Sequence, residues 1–123
     1  MVLITLNKLQ RLLYLSYVQR VSPAELTVAR GDLQAALGEL SPGFRLIADL
    51  SQLDNMDAAC MTEVGVAMDM IDQRGVSLII RVIPDASKDI GLNILAVFHY
   101  PHHPRVMTCR NMAEALHQLS AWS

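Results

Sequence analysis

The segment FRLIADL, Phe44 to Leu50, has one internal charge, Arg45, and lies between the turn residues Pro42 and Gly43 and a polar stretch that opens at Ser51. A short apolar run bounded in this way predicts a buried strand. Downstream, from Asp57 to Arg74, Met61, Val64, Met68 and Ile71 recur at helical steps, with Thr62, Glu63, Asp69, Asp72 and Gln73 on other faces. That spacing predicts an amphipathic helix, which Gly75 is placed to end. A second apolar run, VSLIIRVI from Val76 to Ile83, predicts the next strand. Strand, helix and strand in immediate succession require a right-handed crossover between parallel strands.

The reading extends in both directions. Upstream, Ser22, Pro23, Ala24 and Glu25 form a capping box with proline at the first helical position. The helix it starts carries Leu26, Ala29, Leu33, Leu37 and Leu40 on one stripe and stops at Ser41, Pro42 and Gly43. Val2 to Tyr17 reads as two strands with a short turn, Leu13, Leu15 and Tyr17 sharing one face of the second. Downstream, Pro84 and Asp85 open a third helix in which Ile90, Ile94, Val97 and Phe98 share a face, and His99 to Pro104 is a loop. Arg105 to Thr108 is a last short strand, and Asn111 with Glu114 starts a helix striped by Met112, Ala115, Leu116 and Leu119. The expected fold is α/β: one mostly parallel or mixed sheet of four to five strands with crossover helices, the first strand or two antiparallel at its edge.

With 123 residues, 52% of them hydrophobic and 18% charged, residues 1–123 are expected to form one domain with a real core. A net charge of -2 supplies no field for a phosphate backbone or an anionic bilayer, so nucleic acid is not an expected partner. No apolar run approaches the roughly 20 residues of a membrane helix, and the apolar start, Met1 to Leu6, lacks the basic region and cleavage site of a signal peptide. Cys60 and Cys109 match no CxxC spacing, and with seven methionines they suit a reducing, cytoplasmic compartment.

From Phe44 onward the pattern resembles a STAS domain, the module of anti-sigma factor antagonists and of the tails of sulfate transporters. The features that carry the resemblance are a strand ending in Asp49-Leu50-Ser51, a short loop, Asp57 at the mouth of a helix and Gly75 at its end. A Val/Leu/Ile strand, a helix start with Pro and Asp, and a short strand before the final helix complete it. The resemblance covers roughly the last two thirds of the chain, and the opening elements fit the same order. It implies a non-enzymatic regulatory domain that binds a protein, an anti-sigma factor or kinase-like partner. Members regulated by phosphorylation carry Asp-Ser-Ser-Gly or Asp-Ser-x-Gly at this helix start. Here the aligned residues are Asp57, Ala58, Ala59 and Cys60, and neither alanine has a hydroxyl to take a phosphate. Thr62 lies past the first turn, where the switch of charge beside a helix N-terminus would be weak.

The segment beyond the Phe44–Leu50 strand lies where open α/β sheets bind their ligands. The expected partner-binding residues are Ser51, Asp54, Asn55, Met56, Asp57, Ala58, Ala59, Cys60 and Met61, together with Lys88 and Asp89 at the start of the third helix, which in the resembled family flanks the partner surface. Asp54, Asn55 and Asp57 are also good N-caps. Six acidic residues between Leu46 and Gln73 (Asp49, Asp54, Asp57, Glu63, Asp69 and Asp72), with no Lys or Arg among them, suggest either an acidic docking face or a solvated helix side. Met61 and Met68 fall on the helix stripe and belong to the core, whereas Met56 and Met70 fall off it and would be exposed. Cys60 reads as a small buried residue, with a reactive thiolate as the alternative.

His99, His102 and His103 raise a metal-dependent enzyme as the least favoured reading; adjacent histidines diverge, and no HExxH-like spacing accompanies them. A second alternative is a binder of a small apolar ligand or lipid in a pocket between helix and sheet. No cofactor is expected, and a homodimer through an exposed sheet edge is left open.

Overall fold

The computed structural model of the chain describes residues 1–85 and 89–122. In chain order the elements are β1 (Val2–Asn7), β2 (Leu12–Tyr17), β3 (Gln19–Val21), α1 (Pro23–Gly38), β4 (Arg45–Asp49) and β5 (Leu53–Met56). A single 3₁₀ turn (Ala58–Cys60) then leads into α2 (Met61–Gln73), β6 (Leu78–Val82), α3 (Asp89–His99), β7 (Arg105–Cys109) and α4 (Met112–Ala121). Five strands make one sheet in the order β1-β2-β4-β6-β7. β1 runs antiparallel to β2, and the other neighbours are parallel. The α/β fold with a mixed sheet is therefore present, and its single antiparallel strand is at the edge.

Period-two alternation sorts the strand residues into two cores. Leu13, Leu15 and Tyr17 of β2, Leu46 of β4 and Ile79 of β6 face Leu26, Leu33 and Leu37 of α1 and Val64, Met68 and Ile71 of α2. Leu12, Ile47, Leu78, Ile80 and Val82 face Ala115 and Leu119 of α4 on the other side. Phe44, fully buried beside the first of these cores, opens β4.

The helix starts follow the sequence. Ser22 accepts from the Glu25 amide at 3.3 Å and the Glu25 carboxylate accepts from the Ser22 amide at 3.4 Å, satisfying two otherwise orphaned N–H groups. Asn111 caps α4 through the Glu114 amide at 2.9 Å, while Glu114 reaches back to the Arg110 amide at 2.9 Å. Gly75, at φ +91°, turns the chain out of α2, and a Cβ there would lie 2.9 Å from Pro42 Cβ.

The segment 51–57, expected as a loop, holds β5, which pairs in parallel with β3 in a separate two-stranded sheet. Gln19-Arg20-Val21 and Leu53-Asp54-Asn55-Met56 carry no alternating apolar pattern. Main-chain pairing at the end of the larger sheet forms these strands, with the Gln19 amide donating to the Gln52 carbonyl at 2.7 Å.

Candidate functional site

The parallel strands β2, β4 and β6 end together, and the chain leaves β4 at that end. Asp49, the last residue of β4, is buried. Its two oxygens accept from the Tyr14 hydroxyl at 3.0 Å and from the Ser51 amide at 2.9 Å. Burial, reinforced by that hydrogen bond and by the carboxylate's charge, pushes the Tyr14 phenol up to about 12. The aspartate of the Asp49-Leu50-Ser51 run is thus a satisfied turn-former that aims the next segment outward.

β5 delivers the chain to Asp57. Its carboxylate accepts from the Ala59 amide at 3.3 Å and its carbonyl from the Cys60 amide at 2.8 Å, which builds the 3₁₀ turn in front of α2. Ala58 and Ala59 are exposed on that turn, as are Ser51, Asp54, Asn55 and Asp57 before it. The result is an exposed ridge interrupted at three positions, the first of them the half-buried Leu53. Met56 is half-buried, and Cys60 is fully buried with its Sγ 3.5 Å from the Val21 carbonyl. Cys60 is therefore no contact residue, because it packs the turn against β3. Burial and the nearby Asp57 charge push its thiol up, which also removes the thiolate reading.

Met61 corrects the helical-stripe reading in the opposite sense. Met61, at the first position of α2, is 36% exposed while Met68 stays in the core. Met70 and Met56, expected outside, are half-buried. Asp89 is the first residue of α3, and Lys88 lies outside the described residues.

The six acidic residues do not form one face. Asp49 is bonded to Tyr14 and Ser51 as above. Glu63 accepts from Arg30 of α1 at 2.6 Å. Asp69 and Asp72 take His99 and His102, with Nδ1 to oxygen distances of 2.7 and 2.6 Å, and Asp72 also accepts from the His102 amide at 3.3 Å. Of the six, Asp54 and Asp57 are the exposed ones, both on the ridge.

His99 and His102, two of the histidines raised by the sequence, are each held by a different carboxylate of α2. Among the described residues no group of three His, Cys, Asp or Glu side chains comes together. The sequence carries one sign of this clasp, the mid-helix glycine Gly65, where a Cβ would meet His99 Nε2 at 2.7 Å. The space between α2, α3 and the sheet, lined by Leu46, Ala48, Val64, Met68, Leu92 and Arg81, amounts to about 40 Å³. Ligand pockets run to about 300 Å³ and more, so this space is smaller than one.

α3 departs furthest from expectation. Leu92, Leu95 and Ala96 pack inward, and Ile94, Val97 and Phe98 stand out in solvent at 57%, 77% and 73% exposure. Among the described residues no helix is long and apolar enough to cross a membrane.

No family profile and no curated protein matches the sequence. Solved structures do match the fold. An uncharacterized protein of the DUF3478 family with a SpoIIAA-like fold, from Shewanella loihica PV-4, superposes with a TM-score of 0.70 at 13% identity, over 97% of this chain and 92% of that one. The anti-sigma factor antagonist SpoIIAA in its unphosphorylated form gives 0.63 at 13% identity, over 98% of each chain. The Bacillus cell fate determinant SpoIIAA in its phosphorylated form gives 0.63 at 13% identity, over 97% and 99%. The chain has a SpoIIAA-like, STAS-like fold.

Proposed function

We propose that this chain is a single-domain, non-enzymatic regulatory module that docks a protein partner, of the anti-sigma factor or kinase-like kind, through the ridge from Ser51 to Met61. The observation that carries the reading is the exposed turn at the head of α2. Ala58 and Ala59 present small apolar surface beside the Met61 thioether, flanked by the Asp54 and Asp57 carboxylates. Such a patch suits a modest, reversible contact in which apolar area gives affinity and the two charges set approach and register. Lys88 and Asp89 flank the contact in this reading. Because alanines stand where the resembled family carries serine, binding here runs without a phosphate switch at that turn. The two thiols and the methionine content support a cytoplasmic setting.

The test is comparative capture by tagged wild type, Ala58→Glu and Asp57→Asn, with captured proteins identified by peptide mass spectrometry and the chief one purified and titrated. Ala58→Glu places a charge in the contact and is expected to lose the partner while melting like wild type. Asp57→Asn keeps the cap and is expected to retain most binding. The bound protein should belong to a regulatory class, and intact mass of the module from cells should show no phosphate. Undiminished capture by Ala58→Glu, or turnover of a substrate, overturns the proposal. The alternative of a small apolar ligand gains no support from a 40 Å³ space, and a lipid co-purifying in native mass spectrometry would reverse that judgement.

A further inference from the structure

The net charge of -2 hides how the charges are sorted. Main-chain bonds from the Arg45 amide to Arg11, from Ser77 to Phe44 and from Arg105 to Ser77 tie the starts of β2, β4, β6 and β7 into a row, at the end of the sheet opposite the ridge. Along that end stand Lys8, Arg11, Arg45, Arg74 and Arg105, half of the ten cations of the chain. Among the described residues the exposed carboxylate there is Glu39, which Lys8 pairs at 2.8 Å, while Asp72 lies buried behind it with His102. Five cations against one exposed carboxylate leave this end at +4, and since the whole chain is at -2 the rest of it is at -6. The arginines here are held by carbonyls. Arg11 donates to Pro42, Arg74 to Leu40 at 2.8 Å, and Arg45 both to Gln10 at 2.6 Å and to Leu119 at 3.3 Å. A helix C-terminus carries roughly half a negative charge, so even the ends of all four helices leave this end of the sheet positive.

The same arginines bring two apolar residues to this end. The Arg45 guanidinium bridges the turn between β1 and β2, at Gln10, and the last turn of α4, at Leu119. Beside Gln10 is Leu9, 98% exposed at the tip of its turn and flanked by Lys8 and Arg11. Beyond Leu119, whose carbonyl its amide meets at 3.3 Å, is Trp122, the sole tryptophan, 38% exposed and with the Arg105 guanidinium 5.7 Å from its ring centre.

We propose that this end of the molecule docks on an anionic phospholipid bilayer, with Leu9 entering the acyl boundary, Trp122 at headgroup level and the five cations against the lipid phosphates. Charge complementarity selects an anionic occupant, and Leu9 selects a bilayer among them. An acidic protein would satisfy the arginine forks but would need a pocket shaped for a leucine on a protruding turn, whereas hydrocarbon receives an apolar tip of any shape. Tryptophan favours the boundary between lipid and water, and Lys and Arg beside an inserted apolar group are drawn to anionic headgroups. Each cation near such a surface strengthens binding about fivefold, and one inserted leucine adds roughly tenfold or more. The contact is thus reversible and salt-sensitive, and it leaves the ridge facing away from the membrane. This inference does not rest on the partner reading, and a chain that ignores vesicles would leave the Ala58 binding test standing.

Co-sedimentation and Trp122 emission with vesicles of phosphatidylcholine, alone or mixed with phosphatidylglycerol, test it. Wild type is expected to pellet with the mixed vesicles, its emission shifting to the blue, and to do neither with phosphatidylcholine alone. Raising salt from about 0.1 M to about 1 M, which shortens the screening length from about 10 Å to about 3 Å, should release it. Leu9→Asp, at an almost fully exposed position, should lose roughly tenfold or more in affinity with an unchanged melting temperature. Lys8→Gln and Arg105→Gln should each lose about fivefold. Two controls should bind as wild type does: Arg20→Gln, an exposed cation of β3, and Phe98→Glu, which adds the same charge as Leu9→Asp on the exposed side of α3. Wild type that stays in the supernatant with mixed vesicles, Leu9→Asp that pellets fully, or Arg20→Gln that loses as much as Lys8→Gln overturns the proposal. So does loss of binding on Phe98→Glu alone, which would move the contact to α3, and so does tighter binding to a single-stranded RNA oligonucleotide than to the vesicles at equal salt, which would assign this end to nucleic acid.

Discussion

Asp57 shows how one residue can serve structure and docking together. Its carboxylate holds the Ala59 amide, so replacing it with alanine removes a cap worth about 1 kcal/mol, and a lysine there would confound lost binding with lost stability. Asp57→Ala should lower the unfolding free energy by about that amount in a urea titration, with Asp57→Asn close to wild type. Gly75 is stricter still. At φ +91°, with Pro42 2.9 Å from where a Cβ would stand, Gly75→Ala meets both backbone strain and a clash, and should cost on the order of 1 to 3 kcal/mol. These two roles were legible in the sequence because caps and glycine stops are local. The exposure of Met61 was not, since it stands at the first position of α2, and apolar spacing does not show how far the core reaches along a helix.

The helices and the five main strands follow from periodicity and capping, and the parallel sense of the later strands from the strand-helix-strand alternation. β3 and β5 were missed because the pairing that makes them is main-chain hydrogen bonding between segments far apart in sequence. The acidic run was misread for a related reason. The partners that disperse it, Arg30, Tyr14, His99 and His102, come from other elements and meet it only after packing. The clasp between α2 and the segment after α3 depends most on Asp72, whose side chain is 2% exposed and which holds both the amide and the imidazole of His102. Asp72→Ala removes both bonds and leaves the His102 amide without its acceptor. It is expected to cost about 1 to 3 kcal/mol and to speed hydrogen exchange at the His102 amide before exchange rises in β4 or β6. Uniform acceleration across the sheet would show that the clasp is no separate unit.

At the scale of the whole molecule, all three tyrosines sit in environments that disfavour the phenolate. Burial pushes Tyr17 up to about 12, burial and Asp49 do the same for Tyr14, and burial raises Tyr100 as well. A phenol whose pKa is higher folded than unfolded binds its proton more tightly in the native state. Its contribution is complete below the unfolded value near 10 and drains away as pH rises through the folded value. The protein should therefore lose stability between about pH 10 and pH 12, on the order of 2 kcal/mol for the buried Tyr17 phenol alone, measured as the fall in urea midpoint across that window. A midpoint flat to pH 12 would contradict the burial of these rings. The STAS-like fold itself leaves the docking claim to the chemistry of the ridge. The most direct measurement is a calorimetric titration of the purified partner into wild type and into Ala58→Glu. The account predicts a loss of at least about tenfold in affinity, roughly 1.4 kcal/mol, with melting temperatures unchanged. Equal affinities for the two proteins would contradict it.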